Sequence, residues 1–237
     1  MFRMSDSIAT AWALITHTDA NLLSVVLLSL RVSAGACLIG GLLGLLLGAW
    51  LAVARFPGQR GVVALLNTLL ALPSVVVGLL VYLLLSRSGP LGAWGILFTP
   101  GAMVVAQSIL VTPIVAALTR QLLVGALVEG GDTLKSMGAG PMLSAGLLML
   151  HERWALLTVL LTAFGRAISE VGAVMMVGGN IDGLTRVMTT SIALETSKGD
   201  LPLALALGIV LLAVVGLINL LIALAQSGPR LVGAERI

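Results

Sequence analysis

Charge is scarce in this chain of 237 residues. Asp, Glu, Lys and Arg together make up 10% of it, where a soluble domain carries roughly a quarter. With a mean hydropathy of +1.13, too little polar surface is left to cover a water-soluble globule. Cysteine is nearly missing: Cys37 stands alone, which excludes an intrachain disulfide and a cysteine-based zinc site. No G-x-x-x-x-G-K-[S/T] phosphate loop occurs, so the chain is not expected to be an ATPase. The 13 basic residues are scattered, most of them at loop ends, and form no basic face, which argues against a nucleic-acid partner. No short apolar stretch with a small-residue cleavage site follows the polar start, so no cleaved signal peptide is expected.

Uninterrupted apolar sequence is what the chain has in quantity. Residues 32–54, 61–86, 88–119 and 201–229 contain no Asp, Glu, Lys or Arg. A helix needs about 20 apolar residues to cross roughly 30 Å of hydrocarbon. The ~10-residue alternating strands of a membrane barrel are absent. The expected class is therefore an all-α, polytopic membrane protein. Five transmembrane helices are predicted, at about 24–54, 61–86, 101–119, 154–178 and 201–226. The domain plan is an external segment 1–21, a transmembrane domain 22–226 and a tail 227–237. No internal repeat is visible.

Basic residues give an orientation. Arg55, Arg60, Arg120, Lys135, Arg153, Arg230 and Arg236 fall in one set of loops, and Arg3, Arg87, Arg186 and Lys198 in the other. The richer set is assigned to the cytoplasm, with the N-terminus outside and the C-terminus inside. Trp50 and Trp154 then lie at cytoplasmic ends of spans, and Tyr82 and Trp94 at external ends. Gly40, Gly44 and Gly48 recur every fourth residue on one face of the first span, a pattern for close helix packing. Pro73 and Pro113 interrupt the backbone ladder in mid-span.

Residues 120–153 break the apolar pattern with Arg120, Glu129, Asp132, Lys135, His151, Glu152 and Arg153. Gly130-Gly131 leads into Asp132, which fits a helix N-terminus. Gly138 fits the left-handed position after a helix, and Pro141 the first turn of the next one. Two short helices joined by a glycine elbow are expected, facing the cytoplasm.

This hairpin resembles the permease subunits of ABC-type importers. Their signature reads E-A-A, three residues, G, nine residues, I, one residue, L-P. Aligned on Gly138, the chain supplies Asp132-Thr133-Leu134, then Leu148, then Leu150-His151. The spacing is met throughout; Asp replaces Glu, Thr-Leu replaces Ala-Ala, and His151 replaces Pro. Phe164 to Ile181 resembles the matching segment of oxyanion importers for molybdate, sulfate and tungstate, and the continuation Thr185 to Gly199 is most similar to tungstate permeases. The resemblance covers about residues 22–226 and implies the type I ABC importer permease fold. It implies a coupling elbow that docks into an ATPase subunit. It further implies a homodimer in the cell (inner) membrane, two cytoplasmic ATPase subunits that bind ATP and Mg, and an extracytoplasmic substrate-binding protein. No cofactor is expected in this chain.

Arg166 and Glu170 lie four residues apart within the fourth span. Either they neutralise each other, or they line the pathway near a gate; Asn180, just beyond Gly178-Gly179, is the third pathway candidate. Molybdate or sulfate in place of tungstate, and an ATPase-independent secondary transporter or channel, are the alternatives.

Overall fold

A computed structural model describes residues 20–227. The expected external segment and tail therefore lie outside the described residues, apart from positions 20, 21 and 227, as do Arg3, Arg230 and Arg236. The helices are α1 (Ala20–Val53), α2 (Gln59–Leu69), α3 (Ser74–Leu85), α4 (Pro100–Ser136), α5 (Pro141–His151), α6 (Arg153–Ile168), α7 (Gly172–Gly178), α8 (Met188–Lys198) and α9 (Leu201–Ser227), with a single 3-10 turn at Gly92–Trp94. No strand occurs among the described residues. The all-α, polytopic class is what the composition predicts.

Among the described residues three helices are long and apolar enough to cross a bilayer alone, and five spans are reached only if each of two bent pairs counts as one. The expected span 61–86 is one of these pairs: α2 and α3 meet at 99°. The chain leaves α2 through i→i−3 turns at Leu70, Ala71 and Leu72, and Pro73 then caps α3 without a donor of its own. Apolar and polar residues segregate on α2, with Leu66 buried and Arg60, Asn67 and Thr68 exposed. That division suits a helix lying at the membrane interface.

Two further expectations are corrected. The third span does not stop at residue 119, because α4 runs unbroken for 37 residues through Pro113 and Gly130-Gly131 to Ser136. The fourth span is not continuous over 154–178; it is interrupted between Ile168 and Gly172.

The described chain forms two compact units. In the first, Leu27–Arg186, the glycine row of α1 lies against α4. A Cβ on Gly40 would stand 2.8 Å from the Ser108 carbonyl oxygen, one on Gly44 2.6 Å from Val115 Cβ, and one on Gly48 2.5 Å from the Ala116 carbonyl oxygen. Removing three side chains lets two backbones meet, which is how apolar helices gain contact energy in lipid. Within this seam Val111 and Val115 of α4 also pack on Ala163 and Ala167 of α6. The opposite face of α1 exposes Leu38, Leu42 and Leu46, as a lipid-facing surface should. A second close approach joins α3 to α7, where a Cβ on Gly78 would lie 2.7 Å from Ala173 Cα. In the other unit, which begins at Val187 and includes the residues up to Val26, α8 and α9 pack together.

Gly44→Val should destabilise the detergent-solubilised chain by about 1–3 kcal/mol, the usual cost of overpacking. Gly125→Ala, where a Cβ meets nothing within 4 Å, should be neutral or slightly stabilising. Thermal unfolding in detergent checks both, and equal melting temperatures for the two variants would contradict the glycine seam.

Candidate functional site

The first candidate region is the elbow after α4. Ser136 is the last helical residue, and Gly138 follows at φ +81. The Gly138 N–H donates to the Lys135 carbonyl at 2.9 Å, and the Ala139 N–H to the Leu134 carbonyl at 3.0 Å. This pair of bonds is a Schellman closure, which satisfies carbonyls that the helix end would orphan. Gly140 precedes Pro141, which occupies the first turn of α5. Glu152 then ends α5, and α6 departs at 78°.

Asp132 does not open a helix. It lies in the last turn of α4 with its side chain fully exposed, 3.0 Å from Lys135 Nζ. A carboxylate is unfavourable at a helix C-terminus, and Lys135 offsets it. The glycine pair fails to break the helix because Gly131 is buried and the flanking Leu123, Leu127 and Leu134 pack with Ala49 and Leu148. That packing outweighs the roughly 1 kcal/mol that each helical glycine costs.

The signature residues divide. Asp132, Thr133, Gly138, Leu150 and His151 are exposed, whereas Leu148 is buried and Leu134 half-buried in that cluster. Met137, Met142 and Leu143 add exposed apolar surface around the elbow. His151 Nε2 stands 4.0 Å from Glu152 Oε1.

The second candidate region is the break between α6 and α7. Glu170 is buried, and its Oε1 accepts the Ala173 N–H at 3.3 Å in the first turn of α7. Its Oε2 lies 3.8 Å from Arg166 Nη2, on a side chain 54% exposed. The pair is thus dry at the carboxylate and open at the guanidinium. Gln107 reaches across from α4, where its Nε2 donates to the Ala167 carbonyl at 2.9 Å, one of the groups that the end of α6 leaves free.

Asn180 does not join this pair, since the seven residues of α7 intervene, about 10 Å of helix. It has φ +50 and follows Gly179 at φ +70. The turn is held by Thr185, whose fully buried hydroxyl donates to the Gly178 carbonyl at 2.6 Å and accepts the Ile181 N–H at 2.9 Å. Asp182 and Arg186 pair at 2.9 Å on the same turn.

The chain is 41% identical to the tungstate uptake system permease protein TupB of Peptoclostridium acidaminophilum over 219 residues, which is 92% of this chain and 96% of that protein. It is 40% identical over 206 residues to a probable anion ABC transporter permease protein of Haloferax volcanii, covering 84% and 88% of the two chains. The chain belongs to the anion ABC transporter permeases. The sulfate transport system permease protein CysT of Escherichia coli is 31% identical over 235 residues, 95% of this permease and 84% of that one. No family model matches the chain.

Two residues that position these regions of the permease, Gln107 and Thr185, were not singled out in the sequence. Gln107 had a usable signal, a lone amide in the charge-free run 88–119, where a buried amide needs a partner. Thr185 had none, because its role depends on a turn that only the fold defines.

Glu170→Ala should lower the stability of the permease by about 0.5–2 kcal/mol, through loss of the acceptor at the start of α7. Glu170→Gln keeps an oxygen there and should leave melting nearly unchanged while altering reconstituted uptake. Wild-type uptake by Glu170→Gln would exclude a transport role for the charge.

Proposed function

We propose that this permease conducts tungstate into the cytoplasm as a homodimer, driven by two ATPase subunits that bind ATP and Mg. A binding protein on the external face delivers the anion. The near end-to-end likeness to a tungstate uptake permease carries the choice of cargo. The elbow supports the choice of partner: Thr133, Leu150 and His151 stand exposed around a Gly138 closure, amid Met137, Met142 and Leu143. Apolar side chains standing out of a charged loop favour a protein partner.

The 37 residues of α4 give a rod about 56 Å long. A push on its elbow end is therefore transmitted along the whole span. ATP-driven closure would move the elbows of two copies together and open the spans outward. Product release would reset them, so that nucleotide and loaded binding protein bias two conformations differently. The basic residues at 55, 60, 120, 135 and 153 support a cytoplasmic elbow by the positive-inside tendency, with the N-terminus outside and the C-terminus inside. Arg166 and Glu170 are the pathway candidates: a paired guanidinium attracts a dianion without holding it, and conduction needs weak sites. Molybdate or sulfate is the second reading of the cargo, favoured by the sulfate permease relative.

Gly138→Val forces a β-branched side chain into a left-handed backbone, a strain of about 1–2 kcal/mol, and should detach the ATPase while the spans stay folded. Co-purification of the ATPase, with melting of the permease as control, checks this. An intact complex would count against the elbow as the docking element. For the cargo, ATPase activity of the complex should rise most with binding protein loaded with tungstate. A larger rise with molybdate or sulfate would transfer the assignment to that anion.

A further inference from the structure

α6 has two faces of opposite chemistry. Leu156, Leu160, Ala163 and Ala167 point into the packed unit against α1 and α4. Thr158, Thr162, Arg166 and Ser169 are all exposed. At 100° per residue these four polar positions fall within an arc of about 80°, turned away from the buried row. They extend over about 16 Å of helix axis, half the hydrocarbon thickness. Gly165 lies about 20° outside this arc, and a Cβ added there would meet nothing within 4 Å. The polar arc therefore fronts open space.

Lipid is a poor occupant for that space. A guanidinium and three hydroxyls in a row against hydrocarbon are costly, and polar groups at membrane depth face protein or water. The exposed middle of α1, by contrast, is apolar throughout, from Leu38 and Ile39 to Leu46 and Leu47. Close packing on a second copy also fits poorly, since burying the exposed side of Arg166 would need a further acceptor for its remaining donors.

Resting on the permease reading above, we infer that Thr158, Thr162, Arg166 and Ser169 form one wall of the water-filled path along which the anion moves. The hydroxyls suit a passing anion. Thr162 donates to the Thr158 carbonyl at 2.9 Å, and Ser169 to the Gly165 carbonyl at 2.9 Å. Each has a backbone partner when no anion is present and can rotate its proton outward when one arrives. Such a ladder lowers the barrier to a dianion without creating a tight site. Arg166 supplies the one positive charge of the row, moderated by Glu170 behind it.

The test uses the full complex with its ATPase in sealed vesicles, in a Cys37→Ser background. Thr158→Cys and Thr162→Cys should react with a membrane-impermeant, negatively charged methanethiosulfonate at least about tenfold faster than Leu42→Cys, and ATP should change the rate. Thr158→Cys and Thr162→Cys as unreactive as Leu42→Cys, with and without ATP, would overturn the inference. As a second arm, Thr162→Val should slow uptake about tenfold at unchanged complex yield, the worth of a hydrogen bond to a charged group, and Thr162→Ser should restore it. Full uptake by Thr162→Val would remove the hydroxyl from the path. Labelling does not depend on cargo. A wild-type complex that takes up no oxyanion would therefore sink the permease reading, while the labelling would still decide whether the stripe is wet.

Discussion

In hydrocarbon a backbone amide or carbonyl without a partner costs several kcal/mol. That constraint decides where this chain can stop being helical. The break between α6 and α7 survives because side chains serve the groups it frees. Gln107 donates to the Ala167 carbonyl, and Glu170 accepts the Ala173 N–H. At the end of α4 the chain serves itself through Gly138 and the Schellman closure. At Pro73 the missing donor coincides with a 99° bend that ends one helix and starts another. Each interruption is a place where movement or contact is possible; Arg166 and Glu170 lie at the first of them and Gly138 at the second.

Between these points the unit is stiff. The glycine row of α1 brings its backbone onto α4, and the alanines of α6 pack on the same valines of α4. α4 is the continuous helix that leads from the elbow into this packing, and so the direct route for a displacement there. The second route from the elbow, through α5 and the 78° turn into α6, ends at Arg166 and Glu170. One contact at the elbow would thus reach both the main scaffold and the charged pair, as the proposed ATP-driven gating requires.

The helical class, the apolar runs and the glycine seam were legible in the sequence because each depends on local pattern: hydropathy over a window, or a four-residue spacing. The elbow was legible at Gly138 and Pro141, where backbone restrictions are strongest. It was misread at Asp132. There, Gly130-Gly131 suggested a break, but burial of Gly131 and packing of Leu123, Leu127 and Leu134 carried the helix on. The same difficulty hid the interruption after Ile168. Arg166 and Glu170 have helical spacing, and only the fold shows that Glu170 has left α6 to serve α7. Long-range packing decided both cases, and no local pattern encodes it.

On the proposed function, ATP hydrolysis by a partner drives an oxyanion through this chain. Proteoliposomes holding the permease, its ATPase and the loaded binding protein test it most directly. Tungstate should accumulate against its gradient with ATP and not with a non-hydrolysable analogue. Accumulation that proceeds equally without hydrolysis, or with the ATPase omitted, would contradict the claim and point to a secondary transporter or channel.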